Sequence, residues 1–249
     1  MALTATARHI ISPTGWTYDM NFDFSDDQKL LKDQAHKFLT DKSSLKVVRH
    51  ILDTDETYAK DVWKGIVEMG WTGTTIPEAY GGIGLGHLEL CMIAEELGRS
   101  LAPVPFSSSV YLATEALLIA GSEEQKQKYL PALAAGEMIG TLALSEGTQA
   151  ATPKTMKVSF EGGKLKGMKM PVPDGDVANF SIVVVKTGSG TDEKSVSLAI
   201  VDLTGKGVTR APLKTLDPTR NLSTITFDGA PAELLGKQGE GWAVLQQVL

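Results

Sequence analysis

The residues Ala143-Leu-Ser-Glu-Gly147 come close to the G-x-S-x-G pattern that carries a nucleophilic serine. In enzymes of that type a strand precedes the serine, a helix follows it, and the histidine of the triad lies downstream in the chain. A strand-like segment precedes Ser145, but no helical pattern follows Gly147, and all four histidines lie upstream, at positions 9, 36, 50 and 87. The sequence therefore argues against a serine hydrolase.

Four glycines, at positions 81, 82, 84 and 86, precede an apolar segment and could form a phosphate-binding loop. The G-x-G-x-x-G pattern of dinucleotide-binding proteins fails here, because its third position falls on His87 or Glu89. Both flanking segments have helical patterns, whereas that motif joins a strand to a helix. We therefore predict a tight turn that uses the conformational freedom of glycine.

The spacing of polar residues gives little support to metal or acid–base chemistry. The histidines cluster neither with carboxylates nor with the single cysteine, so we predict no metal site. Adjacent helical residues point about 100° apart, and we therefore expect one of Glu95 and Glu96 to face solvent. Cys91 lies in a segment rich in Leu and Met and is predicted to fill the core.

Two periodicities divide the chain into a helical first part and a β-rich second part. Ser25-x-x-Gln28 and Ser122-x-x-Gln125 match the capping box that begins a helix, and Pro131 is predicted to break or kink the second of these helices. Apolar spacing predicts helices at residues 57–69, after the glycines, at the bundle centre over 110–120, and from Gly241. β-branched segments predict strands at 180–186, 195–201 and 222–227, with 187–194 as a hairpin loop.

The composition is that of a soluble globular protein, with 42% apolar residues, 22% charged residues and a net charge of −6. An acidic balance without a basic block argues against nucleic acid or an anionic membrane as the main partner. The apolar segments are too short to span a bilayer. A single cysteine excludes an internal disulfide and favours a reducing compartment, so we expect a cytoplasmic protein.

A series of phrases along the chain resembles the acyl-CoA dehydrogenase family. In the family's order they are IPEAYGGIGL (76–85), AEELGR (94–99), GSEEQKQKYLP (121–131), ALSE (143–146), GMK (167–169) and LLGKQGEG (234–241). The resemblance covers residues 24–249 and implies an α+β fold. It implies an N-terminal extension (1–23), an all-α helical domain (24–137), a β-barrel domain (138–236) and the start of a C-terminal helical domain (237–249).

The resemblance also implies an oxidoreductase of fatty acid or steroid β-oxidation, with FAD as cofactor and acyl-CoA as substrate. In this family a carboxylate removes the α-proton of the thioester while the β-hydride passes to the flavin. The partners implied are other subunits, in a homo- or hetero-oligomer, and an electron acceptor such as an electron-transfer flavoprotein.

Carried over by position, the resemblance implies two FAD segments: residues 142–145, and residues 171–173. The first includes Leu142 and would offer the backbone of Leu144 and the hydroxyl of Ser145, which could instead bond to local backbone. In the second, Val172 keeps its N–H, but Pro171 and Pro173 stand where the family has an aromatic residue and a threonine. Proline offers neither a ring face nor a hydrogen-bond donor of that kind.

The phrase Leu216-Asp-Pro-Thr-Arg220 is similar to those of divergent bacterial dehydrogenases, including ones that act on polycyclic acyl groups. Arg220 is a candidate for binding a phosphate of the substrate, and a surface ion pair with Asp217 is the alternative.

The family's catalytic glutamate comes from the C-terminal helical domain, and no residue here matches it, so we predict no catalytic base in this chain. An apolar stripe on the last predicted helix, formed by Trp242, Val244, Leu245 and Val248, lacks visible partner helices and indicates a binding surface or a truncation. Two main hypotheses stay open. One is an acyl-CoA dehydrogenase seen as its first two domains, with an oxidase-like branch of the same fold as a variant. The other is a non-catalytic acyl-CoA-binding or scaffolding subunit of a heteromeric dehydrogenase.

Overall fold

The computed structural model describes residues 10–11, 17–18, 23–216 and 219–249, so most of the predicted extension 1–23 lies outside it. Two short strands, β1 (Ile10–Ile11) and β2 (Thr17–Tyr18), pair antiparallel. The first part of the chain is helical, as predicted. Its α-helices are α1 (Asp26–Lys42), α2 (Leu45–Asp53), α3 (Lys60–Glu68), α4 (His87–Arg99), α5 (Glu115–Ala120) and α6 (Glu123–Ala134).

Both predicted capping boxes are confirmed. The Gln28 N–H donates to Ser25 Oγ at 3.2 Å, and the Ser25 N–H donates to Gln28 Oε1 at 3.0 Å. Ser122 and Gln125 make the same reciprocal pair at 3.2 and 3.1 Å. Of the predicted break or kink at Pro131, the break does not occur: α6 continues to Ala134, and the leucines on both sides of the proline, Leu130 and Leu133, are buried and hold the last turn in place.

The helix predicted over residues 110–120 consists of two parts, a π-helical segment (Ser107–Thr114) and α5. The Thr114 hydroxyl donates to the Ser109 carbonyl, five residues earlier, at 2.9 Å. The central position is confirmed, since Val110, Ala113 and Leu117 are almost completely buried. The sequence pattern placed a helix correctly but could not distinguish its two kinds of turn.

The glycine-rich stretch is a tight turn, as predicted. Gly81 and Gly84 have φ values of 80° and 70°, which glycine adopts without the steric cost that a side chain would bring. Gly82 packs directly on the backbone of Ile76, and a Cβ there would lie 1.9 Å from the Ile76 carbonyl oxygen. The turn delivers α4 to the core.

α4 separates the two glutamates and exposes the cysteine. The Glu95 side chain is 59% exposed, whereas that of Glu96 is 4% exposed and accepts hydrogen bonds from Arg99 and His36, so the two point in different directions as expected. The prediction that Cys91 fills the core is wrong, because this residue is exposed. The core face of the helix is occupied by other residues, Leu90, Met92, Ile93 and Leu97.

The second part of the chain forms a closed barrel. Its strands are β3 (Gly140–Ala143), β4 (Ser159–Glu161), β5 (Lys164–Pro173), β6 (Phe180–Lys186), β7 (Val196–Asp202), β8 (Val208–Pro212) and β9 (Leu222–Leu235), followed by α7 (Gly241–Val248). The barrel runs β6–β4–β5–β9–β7 and closes from β7 back to β6, while β3 lies along β6 and β8 along β9. The predicted strand 180–186 and the hairpin loop after it are confirmed. The strand predicted at 195–201 is shifted by one residue, and β9 extends well beyond the predicted 222–227.

Two apolar clusters cross the boundary between the helical part and the barrel. The first joins Trp63 and Ile93 to Val183, and the second joins Leu130 to Phe180. α7 is part of the second cluster. Its Leu245 is 2% exposed, and the other three residues of the predicted stripe pack partly against the cluster, so this stripe is not without partners.

Candidate functional site

The two predicted FAD segments lie side by side, on β3 with the residues after it and on the end of β5. The Met170 N–H donates to the Ser145 carbonyl at 2.8 Å, and the Gly147 N–H donates to the Met170 carbonyl at 2.7 Å. Further along, the Thr141 hydroxyl donates to the Pro173 carbonyl at 2.6 Å. Segments that are distant in sequence thus form one continuous wall at the edge of the barrel.

Burial determines which atoms of this wall can meet a ligand. Leu142 and Val172 are 3% and 0% exposed, so their side chains belong to the core. Leu144, Ser145 and the prolines at positions 171 and 173 are half-buried and form the accessible surface. Within the part of the chain that the structure describes, the Ser145 hydroxyl makes no hydrogen bond. The alternative of a bond to local backbone is therefore not realised.

A buried ion pair between Lys169 and Glu146, which the sequence did not predict, supports the first predicted FAD segment from the interior of the barrel. Lys169 is 0% exposed, and its Nζ donates to the Leu144 carbonyl at 2.9 Å and to Glu146 Oε1 at 2.8 Å. Burial lowers the pKa of Lys169 to about 8, against the opposing effect of Glu146. Glu146 also accepts from the N–H groups of Lys157 and Val158 at 2.7 and 3.0 Å. The sequence did contain a signal for this ion pair. Lys169 lies at an inward-facing position of β5, and a buried ammonium group needs a carboxylate partner.

A second buried carboxylate, also missed, follows the second FAD segment directly. Asp174 is 7% exposed, and its Oδ2 accepts from the Ser108 hydroxyl at 2.6 Å. Burial raises the pKa of Asp174 to about 6, partly offset by Ser108 and by the charge of Arg220. The Asp174 N–H donates to the Asn221 carbonyl at 2.9 Å. This residue ties the end of β5 both to the π-helical segment and to the loop before β9.

Arg220 lies at the junction of two adjoining cavities. Its Nη1 donates to the Ser107 hydroxyl at 3.3 Å. The larger cavity, of about 610 Å³, lies between the α2–α3 connection and the barrel, and the smaller one, of about 140 Å³, lies against α4 and the π-helical segment. Asp217, the alternative ion-pair partner of Arg220, lies outside the described residues.

The described residues form neither a serine-hydrolase site nor a metal site. No helix follows Gly147, and Glu146 is bound by Lys169 rather than by a histidine, so the serine-nucleophile pattern has no triad. Within the described ranges, no group of three or more His, Cys, Asp or Glu residues could hold a metal ion. The helices there are all too short or too polar to cross a membrane.

Comparison with known proteins agrees with the order of the sequence phrases. Residues 25–137 match the family model for the acyl-CoA dehydrogenase N-terminal domain. Isovaleryl-CoA dehydrogenase of Arabidopsis thaliana mitochondria is 33% identical over 239 residues, which are 91% of this chain and 58% of that enzyme. The chain belongs to the acyl-CoA dehydrogenase family.

Solved structures of acyl-CoA dehydrogenases share the fold over nearly the whole chain. The enzyme of Bacillus anthracis, complexed with FAD, is 25% identical with a TM-score of 0.80, covering 91% of this chain and 41% of that one. A steroid acyl-CoA dehydrogenase whose name pairs two proteins is 27% identical with a TM-score of 0.77, covering 90% of this chain and 59% of that one. The chain therefore spans about half the length of these acyl-CoA dehydrogenases.

Proposed function

We propose that this chain binds the acyl-CoA substrate and forms one wall of the FAD site in an acyl-CoA dehydrogenase. The observation that carries the proposal is the wall itself, in which the two predicted FAD segments are joined by the hydrogen bonds between Ser145, Met170 and Gly147. The larger cavity at Arg220 is lined by Asp174, which directly follows Pro173 of this wall, so a thioester and a flavin could meet there.

The chemistry of the wall fits part of an isoalloxazine site. The Ser145 hydroxyl is half-buried and has no partner among the described residues, so it can donate to or accept from the polar edge of a flavin ring. Leu144, Pro171 and Pro173 offer apolar surface beside it. FAD, when bound, would supply the acceptor for the hydride that leaves the β-carbon of the substrate. The chain's own contribution is to position the ring and to exclude water from one side of it.

We assign no catalytic base to this chain. Two carboxylates border the wall, and both are already engaged. Glu146 accepts from Lys169 and two backbone N–H groups, and Asp174 is buried against Ser108. Neither can reach the α-carbon of a thioester without losing these bonds, so we infer that the base lies outside the described residues.

As partners we propose other subunits and an electron acceptor such as an electron-transfer flavoprotein, in the cytoplasm.

Flavin binding tests the wall directly. The purified chain is titrated with FAD, and the quenching of flavin fluorescence gives the dissociation constant. Losing one neutral hydrogen bond costs about 1 kcal/mol, so Ser145→Ala should weaken FAD binding about fivefold. Ser159→Ala, a half-buried serine on β4, is the matched control and should leave the dissociation constant unchanged. A chain that binds no FAD, or a Ser145→Ala variant that binds it as well as the original, would contradict the proposed wall.

The second candidate function is a non-catalytic acyl-CoA-binding or scaffolding subunit of a heteromeric dehydrogenase. It is favoured by Pro171 and Pro173, which can donate no hydrogen bond to a flavin. The two candidates differ in what happens to bound flavin. In the leading proposal the chain binds FAD weakly, and the flavin absorption bleaches with an acyl-CoA only when the catalytic base is supplied. A non-catalytic subunit would bind acyl-CoA with no flavin at all.

A further inference from the structure

The buried ammonium group of Lys169 directs all of its hydrogen atoms at the segments beside β5. An ammonium group has three N–H donors. In Lys169 their acceptors are the Leu144 carbonyl at 2.9 Å, Glu146 Oε1 at 2.8 Å and Met156 Sδ at 3.5 Å. The Leu144 carbonyl, which belongs to the first predicted FAD segment, therefore points inward to a charge that is completely buried.

The direction of this carbonyl determines where the next N–H group points. The peptide between Leu144 and Ser145 is trans, and a planar trans peptide directs its C=O and N–H to opposite sides. The Ser145 N–H therefore points away from Lys169. Among the described residues neither this N–H nor the Ser145 hydroxyl has a hydrogen-bond partner, and Ser145 is half-buried. Both donors are thus free for a ligand at the accessible surface of the wall.

The carboxylate of Glu146 keeps the ammonium group in this place. It accepts hydrogen bonds from the N–H groups of Lys157 and Val158, so it is itself fixed to the backbone. Among the described residues, Glu146 is the charged group that acts on the pKa of Lys169, and the side chain of Lys157 is exposed. The charge of Lys169 therefore has one fixed partner and one carbonyl to orient.

On the basis of the proposed function, we infer that Lys169 is a positioning residue for FAD, whose ammonium group orients the peptide between Leu144 and Ser145 so that the Ser145 N–H and hydroxyl both face the flavin ring. The polar edge of that ring carries oxygen and nitrogen acceptors, which suit two adjacent donors. Lys169 does not touch the ring, because it is completely buried behind the Leu144 carbonyl. It acts on FAD through the backbone of its neighbours.

Lys169→Met should weaken FAD binding by releasing this peptide. Without the ammonium group the Leu144 carbonyl has no donor, and an unpaired buried carbonyl is costly. It regains a partner when the peptide turns over towards solvent, which carries the Ser145 N–H inward and displaces the hydroxyl. One neutral hydrogen bond is worth about fivefold in affinity, so losing both should weaken FAD binding about 25-fold, against about fivefold for Ser145→Ala.

A double-variant cycle distinguishes positioning from an independent effect. The dissociation constant of FAD is measured at pH 7 by fluorescence quenching for the 249-residue chain, the two single variants and the double variant. If Lys169 acts through Ser145, the double variant should bind FAD as weakly as Lys169→Met alone, because the bond that Ser145→Ala removes is already lost. Independent effects would multiply to a loss of about 125-fold.

The matched control is a variant that loses stability away from the wall. Gly82→Ala lies in the glycine-rich turn, where a new Cβ would meet the Ile76 carbonyl. We expect it to be destabilised to a similar extent as Lys169→Met and to leave the dissociation constant of FAD unchanged. Far-UV circular dichroism of each variant checks that the fold is retained.

The charge of the lysine gives a second readout, which does not depend on the folding of any variant. The pKa of Lys169 is about 8, so the group is mostly charged at pH 7 and mostly neutral at pH 9. A hydrogen bond from an ammonium group is roughly twice as strong as a neutral one. The dissociation constant of FAD for the original chain should therefore rise at least about twofold between pH 7 and pH 9. That of Lys169→Met should not.

The outcomes separate this inference from the proposed function. The positioning role is overturned, and the function left standing, if Lys169→Met binds FAD as tightly as the original chain or if the two substitutions multiply in the cycle. The same holds if Gly82→Ala weakens FAD binding as much as Lys169→Met does, or if the original chain binds FAD equally well at pH 7 and pH 9. If the original chain binds no FAD, both the inference and the proposed function fail.

Discussion

The Lys169→Met substitution removes the ammonium group that joins the first predicted FAD segment to β5. Methionine has a similar length and can fill the same space. It leaves the Leu144 carbonyl without its donor and Glu146 with two backbone N–H partners in place of three donors. Removing one partner of a buried ion pair typically costs about 3–5 kcal/mol. We expect the lower end, about 3 kcal/mol, because the Glu146 side chain is 10% exposed and keeps two hydrogen bonds.

Urea denaturation at pH 7, followed by far-UV circular dichroism, measures this loss as a shift of the midpoint at constant slope. Glu146→Gln and the double variant complete a thermodynamic cycle. The double variant should be less destabilised than the sum of the single ones by about 1–3 kcal/mol, since removing both charges leaves no unpaired buried ion. A loss below about 1 kcal/mol for Lys169→Met, or strict additivity in the cycle, would refute this account of the pair.

The pH dependence of stability gives an independent check on the same lysine. The pKa of Lys169 is about 8 in the folded protein and 10.5 in an unfolded chain, so between these values the unfolded state holds more protons. The free energy of unfolding must then rise with pH across this window, by up to about 1.4 kcal/mol per pH unit. The rise should disappear in Lys169→Met. A difference between the two proteins that stays constant from pH 7 to pH 10 would show that the lysine is not held as described.

Three further substitutions test the turn and the link between the two parts of the chain. Gly82→Ala should lower the free energy of unfolding by about 3 kcal/mol, because the new Cβ would meet the Ile76 carbonyl. The control is Gly98→Ala on α4, where the new Cβ would have open space, and it should raise the free energy of unfolding by about 0.5–1 kcal/mol. Urea denaturation measures both. Because the pKa of Asp174 is raised to about 6, the folded state holds more protons than the unfolded state between pH 3.8 and about 6. The free energy of unfolding should therefore fall as the pH rises through this range. Asp174→Asn should abolish this fall, which urea denaturation at a series of acid pH values measures. Ser108→Ala removes the donor to Asp174 and should cost about 1–3 kcal/mol at pH 7; a smaller loss would mean that water replaces the hydroxyl.

Local signals in the sequence predicted local structure well. The capping pairs at Ser25 and Ser122 begin their helices as expected, because a capping box depends only on residues three apart. The β-branched run at 180–186 is strand β6 within the same bounds. The prediction that Cys91 is buried was wrong because composition alone does not determine which side of a helix faces the core. On α4, neighbouring residues occupy the buried positions.

The contacts that assemble the candidate site could not be predicted from such local signals. The resemblance predicted residues 142–145 and 171–173, but their contact depends on the hydrogen bond from Met170 to Ser145, two residues far apart in the chain, which no short-range pattern encodes. The same holds for the bond from Ser108 to Asp174, two residues far apart in the chain that meet only when the helical part packs on β5. Pairings of this kind are set by the tertiary fold, and spacing rules cannot detect them.

The apolar clusters that cross from the helices into the barrel have a consequence for how the chain melts. The Tyr129 ring lies 4.7 Å from that of Phe180, and Val183 shares a cluster with Ile93, so neither half can open without exposing part of the other's interior. The two halves should therefore lose their structure cooperatively, in a single calorimetric peak. Any force or ligand that loosens the helices would also disturb the alignment of the barrel edge where the two predicted FAD segments meet.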